Sequence, residues 1–175
     1  MARSTAKTVI AAIATLYFGW CAYDPQNAVF LHIIYTPFHY AGHVLFRFFG
    51  EFMGIAGGSL MQIIIPAVFC GHFIYYQKPY SAAIVLMWVG TSFNDVYVYA
   101  ADAQVMILPL MSGTTGSEGG FHDWNYILTE LGMLQHTNLV AKVIRFIGNL
   151  SIVVGSIAAF VFATEGEEIV SDKNL

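Results

Sequence analysis

The stretch GIAGGSLMQIIIPAVFCGHFIYY, from Gly54 to Tyr76, decides how this chain is read. It holds no Asp, Glu, Lys or Arg, and about 20 such residues in a helix span the hydrocarbon core of a bilayer. Gly54, Gly57, Gly58 and Ser59 form a small-residue face that lets a neighbouring helix approach closely. Working outward, comparable apolar runs cover residues 8–23, closed by Asp24-Pro25, and 27–49, interrupted by Pro37. Two more cover 79–101 and 143–164.

Residues 102–142 differ. A glycine-rich loop around Ser112 to Gly120 is too flexible for regular structure. After it, Trp124, Ile127, Leu128, Leu131 and Leu134 recur at helical spacing, with Asp123 placed as an N-cap. The expected fold is all-α: one domain, residues 1–175, built as a polytopic transmembrane helical bundle of four to five spans. The segment 102–142 supplies a cytoplasmic loop and an amphipathic interfacial helix.

Composition agrees. Hydrophobic residues make up 57% of the chain and charged residues 10%, against about a quarter charged in a soluble domain. The lipid bilayer is the expected surrounding. Seven basic residues spread along the chain make no patch for nucleic acid. Cys21 and Cys70 lie in apolar segments and read as two buried thiols. The apolar run after Arg3 and Lys7 continues into Leu16, Tyr17, Phe18 and Trp20 without a small-x-small cleavage site, which suits a retained anchor helix.

With the N-terminus inside, Arg3, Lys7, Arg47, Lys142 and Arg145 fall on the cytoplasmic side, leaving Lys78 and Lys173 outside. This predicts a multi-pass protein of the inner (cytoplasmic) membrane, N-terminus in and C-terminus out. The acidic tail Glu165, Glu167, Glu168 is then external.

The chemistry concentrates at Thr36-Pro37-Phe38-His39-Tyr40-Ala41-Gly42-His43. Thr36 as N-cap and Pro37 as first residue would start a helix just before His39. Four residues apart, His39 and His43 share a helix face and can bind one metal ion. The plainer alternative is a pair of histidines hydrogen-bonding between helices. Ionisable groups inside a span are costly and mark function.

This segment resembles the M50-type, site-2-protease-like intramembrane zinc metallopeptidases, in which an HExxH helix lies in the membrane and a distant residue supplies a third ligand. Phe49 to Phe52, Gly57 to Gln62, Tyr99 to Ala103 and His122 to Trp124 are similar to blocks of short bacterial members, in order, over residues 28–137. The resemblance implies zinc, and a third ligand from Asp102 or, second, His122. All of these residues fall on the predicted cytoplasmic side. Asp95, beside Asn94, is a candidate partner for His32 or His43. His72 and His136 read as structural.

Tyr40 stands where the family has glutamate. That glutamate moves the proton of the metal-bound water, and a tyrosine with a pKa near 10 is a poor base. Glu51 would lie about 12 Å beyond His43 on a continuous helix. The expectation is a protein that has lost hydrolysis and acts as an accessory subunit or scaffold beside other membrane subunits. The alternative is an active metalloprotease using Glu51 or a folded-back Glu118. A third reading is haem or chlorin binding through a histidine.

Overall fold

The computed structural model describes residues 2–110 and 113–164, with only the backbone for Val29. The acidic tail, Lys173 and Ser112 lie outside the described residues. Within them the chain folds into six α-helices: α1 (Thr5–Tyr23), α2 (Val29–Phe46), α3 (Glu51–Tyr75), α4 (Pro79–Ala101), α5 (Asp123–Glu130) and α6 (Thr137–Val161). Short 3-10 turns join several of them.

Local chemistry sets the boundaries. α1 stops at Asp24-Pro25, and α4 starts with Pro79 at its first position, where no N–H is needed. Between α2 and α3 the chain reverses at Gly50, whose φ of 103° suits glycine. Pro37 lies inside α2, which begins well before it, at Val29. Thr36 does not cap the helix; its hydroxyl donates to His32 O at 2.8 Å. The N–H that Pro37 lacks would have bonded Ile33 O, and the helix continues past that single loss.

Among the described residues, three stretches are long and apolar enough to cross a membrane: Thr5–Tyr23, Glu51–Tyr75 and Leu134–Val161. α2 is diluted by His32, His39 and His43. α4 is diluted by Thr91, Ser92 and Asn94, all buried within the bundle. The outward faces of α1, α3 and α6 carry exposed Ile13, Leu16, Val68, Phe146, Val153 and Ile157, as a lipid-facing surface would.

α4 is the central strut. It runs antiparallel to α6, where Gly90 and Gly148 let the backbones touch; a Cβ on Gly90 would lie 2.5 Å from Gly148 O. Asn94 donates to Asn149 Oδ1 at 3.0 Å across the same seam. Ala11, Ala83, Met87 and Ala159 close the core between α1, α4 and α6. Cys21 and Cys70 are both buried and free.

The ends of the bundle correct the odd-numbered traverse. Ser4 N donates to Ala163 O at 3.0 Å, and Lys7 Nζ to Thr164 O at 3.1 Å. The start of α1 and the end of α6 therefore share one end, which five full crossings cannot give. The reason lies in α2, which starts partway along α4. Tyr35 bonds Thr91 at 2.7 Å, and Pro25, Ala28, Leu31 and Tyr35 line a small cavity with Thr91 and Asp95. Among the described residues the basic side chains then divide evenly: Arg3, Lys7 and Lys78 at one end, Arg47, Lys142 and Arg145 at the other. Among these six residues the excess used to place the N-terminus inside is not seen.

Candidate metal centre

At the end of the bundle away from Ser4, α2, α3 and α5 meet. Gly42 of α2 and Gly57 of α3 are in such close backbone contact that a Cβ on Gly42 would collide with Gly57 O. That proximity brings His39 and His43 against the start of α3. Asp123, first residue of α5, reaches them from the opposite side. Its Oδ2 lies 3.0 Å from His39 Nε2 and 3.3 Å from His43 Nε2.

The imidazoles are held by their other nitrogens. His43 Nδ1–H donates to Gly54 O at 2.9 Å, and His39 Nδ1–H to Gln62 Oε1 at 3.0 Å. Both partners only accept, so both Nδ1 atoms carry hydrogen. In the protonated form each Nε2–H donates to Asp123 Oδ2; in the neutral form each Nε2 presents a lone pair to the same point. With both imidazoles neutral, the two Nε2 atoms and the carboxylate oxygen could all ligate one divalent cation. The ligand atoms lie within 4.8 Å of one another. Donors about 3.3 Å apart are what tetrahedral zinc with bonds of about 2.0 Å requires. The site is largely enclosed, with side chains 18%, 28% and 10% exposed for His39, His43 and Asp123.

Gly58 makes the room. A Cβ there would lie 2.6 Å from His39 Nε2 and 2.7 Å from His43 Nε2. The residues thus fit a divalent ion: two imidazole nitrogens and one carboxylate, with their outer nitrogens anchored as metal-binding histidines require.

α5 is fixed so that Asp123 points inward. Trp124 Nε1 donates to Ser59 Oγ at 3.0 Å, and Asp123 N to the Tyr99 hydroxyl at 3.2 Å. His122, rather than Asp123, caps the helix: its Nδ1 accepts from Asn125 N at 3.2 Å. Its Nε2–H then donates to Asp102 Oδ2 at 3.3 Å. Asp102 also accepts from Ile107 N and Leu108 N at 3.1 and 2.9 Å. The two residues expected as third ligands are therefore brought to each other, beside the centre, with their polar atoms committed to folding the loop. Asp123 takes the place in the group. Its residue type and its position after the glycine-rich loop were visible in the sequence; which of His122 and Asp123 faces the imidazoles depends on the entry angle of α5.

Electrostatics follow burial. For Asp123, burial pulls the pKa up, but hydrogen bonds from His39 and His43 outweigh it and hold the carboxyl below its usual range. Burial lowers the pKa of His122, against the opposing pull of Asp102.

Other sequence candidates are dispersed. Asp95 pairs with His32, at 2.9 Å, rather than with His43. Glu118 accepts from Thr115 N at 2.9 Å in a capping box, which holds it in its own turn instead of over the centre. Tyr40 is half exposed, its ring 6.2 Å from that of His39. His72 packs on Tyr76, and His136 ends a 3-10 turn; neither belongs to the metal-ligand group. Glu51 is the surprise. The helix breaks at Gly50, so Glu51 turns back and lines an open cleft of about 530 Å³ together with His43, Arg47, Gly50, Gly54 and Ile55.

Fold and site together define a class: an all-helical protein with apolar helices of membrane-crossing length and a candidate His-His-Asp metal centre at one end. No protein-family model, curated protein or solved structure matches the chain.

Proposed function

We propose that this protein is an M50-like integral membrane protein that binds a divalent cation, zinc by its donor set, and has lost hydrolysis. It acts as a non-catalytic accessory subunit of a membrane assembly. The observation that carries the reading is the convergence of two anchored Nε2 lone pairs and the Asp123 carboxylate. Two imidazoles and a carboxylate are a common zinc set. Without a carboxylate at Tyr40, the bound ion has no adjacent base from α2, and its role becomes mechanical: it ties α5 and its loop to α2.

In this reading the chain crosses the bilayer four times, through α3, α4, α6 and a first traverse shared by α1 and α2. The exposed apolar faces meet lipid and neighbouring subunits. Purified full-length protein with about one zinc per chain, no cleavage of a transmembrane substrate, and a co-purifying partner of fixed stoichiometry support it. Robust cleavage by the unmodified protein would overturn the loss of hydrolysis.

A second reading is favoured by the cleft. Glu51 and His43 line the same opening, so Glu51 would be the carboxylate available as a base if His39, His43 and Asp123 held a metal ion. Cleavage that is abolished by Glu51→Gln, with zinc retained, selects it. Cleavage gained only by Tyr40→Glu selects the first.

A further inference from the structure

A line of side chains leads from the centre into the bundle. His39 Nδ1 meets Gln62 Oε1, Gln62 Nε2 donates to Asp95 Oδ2 at 3.0 Å, and Asp95 Oδ1 accepts from His32 Nδ1 at 2.9 Å. Gln62 is 3% exposed and is the joint of this line. A primary amide can sit either way round, with oxygen or NH2 toward a given neighbour. An ionised carboxylate only accepts, so Asp95 draws the NH2 group and turns the amide oxygen toward His39. The oxygen only accepts in turn, and so demands hydrogen on His39 Nδ1.

We infer that Asp95, acting through Gln62, sets the tautomer of His39 and thereby keeps its Nε2 free to bind metal. Gln62 and Asp95 are positioning residues, and His32 steadies the carboxylate from the exposed end of the line. His43 needs no such device, because a backbone carbonyl fixes it. His39 is thus the ligand whose state a substitution two residues away in the chain of bonds can reverse. The metal-affinity part rests on the proposed metal site; the tautomer part stands on the hydrogen bonds alone.

Asp95→Asn is the sharp test, since it keeps shape while replacing an acceptor-only carboxylate, and its charge toward His32, with a neutral amide that can also donate. The amide that replaces the carboxylate can then donate to Gln62 Oε1. Gln62 rotates, its NH2 faces His39 Nδ1, and the His39 proton moves to Nε2. Imidazole nitrogen-15 spectra of the metal-free, full-length protein read this directly, and zinc competition reads the consequence. The expected result is Nδ1–H on His39 in the unmodified protein, a shift toward Nε2–H in Asp95→Asn, and a loss of zinc affinity of about 10–100-fold. Gln62→Leu, which removes the joint, gives a similar affinity loss should Asp95→Asn fail to fold. Ser92→Ala, on the same helix with its hydroxyl bonded to Trp88 O, leaves both readouts unchanged. An unaltered His39 tautomer and affinity in Asp95→Asn overturn the inference. Should the unmodified protein take up no zinc, the metal reading fails, and the tautomer measurement still decides this one.

Discussion

Gly58 faces His39 so closely that a methyl group on it would sit 2.6 Å from Nε2. The space between α3 and the imidazoles is therefore part of the metal centre, kept open by the absence of a side chain. Gly58→Ala raises intrinsic helix propensity yet fills that space. The expected outcome is a protein that still folds and has lost at least about 10-fold in zinc affinity, on the scale of other perturbations of ligand orientation. Zinc competition with a chromophoric chelator checks it.

On the proposed reading, a cation bound by His39, His43 and Asp123 would tie α5 to the bundle beyond what Trp124 and Tyr99 supply. Chelation should loosen residues 123–130 selectively. Hydrogen exchange in that segment is expected to quicken when zinc is removed, while α4 and α6, buried in their own seam, keep their protection. In Asp123→Ala, chelation should make no difference to α5.

The glycine-rich loop has its own titratable clamp. Hydrogen bonds from the Thr115 backbone and hydroxyl hold the Glu118 pKa below the usual glutamate range. A depressed acid contributes order that is complete above its unfolded value and is lost as the pH falls through its lower folded value. The Thr115 amide signal should follow that transition at a pH below the range of a free glutamate, and Glu118→Ala should abolish it.

The joined ends of α1 and α6 make a topological prediction. Single cysteines replacing Ser4 and Thr164 should react with an impermeant thiol reagent from the same side of the membrane. A cysteine replacing Gln104, beside the metal centre, should react only from the other. The buried native thiols at Cys21 and Cys70 stay silent.

Much of the fold is legible in the chain because lipid-facing positions leave a blunt signature. Gly54–Tyr76 announces α3 almost to its ends. α4 is read to its ends, 79–101, although the polar residues that make its interior lower its hydropathy; α2 is harder. Pro37 misleads about where α2 begins: the helix runs through it from Val29, giving up one backbone hydrogen bond, to Ile33 O. That Ser4 and Ala163 meet at one end of the bundle is invisible in sequence, because it depends on where α2 starts along α4.

The site divides in the same way. His39 and His43 are readable because spacing alone puts them on one face. Asp123 and His122 are neighbours in sequence, and only the docking of Trp124 on Ser59 decides which points inward. Glu51 could not be placed from spacing, since the separation of about 12 Å presumes a helix that Gly50 interrupts. Gln62 carried no signal beyond being a polar residue in an apolar span.

The most direct test of the central claim is elemental analysis of purified full-length protein, run beside Asp123→Ala and His39→Ala. The account predicts about one divalent ion, zinc, per unmodified chain, and near-complete loss in both variants with the helical content preserved. No stoichiometric metal in the unmodified protein, or metal retained in full by both variants, would contradict it.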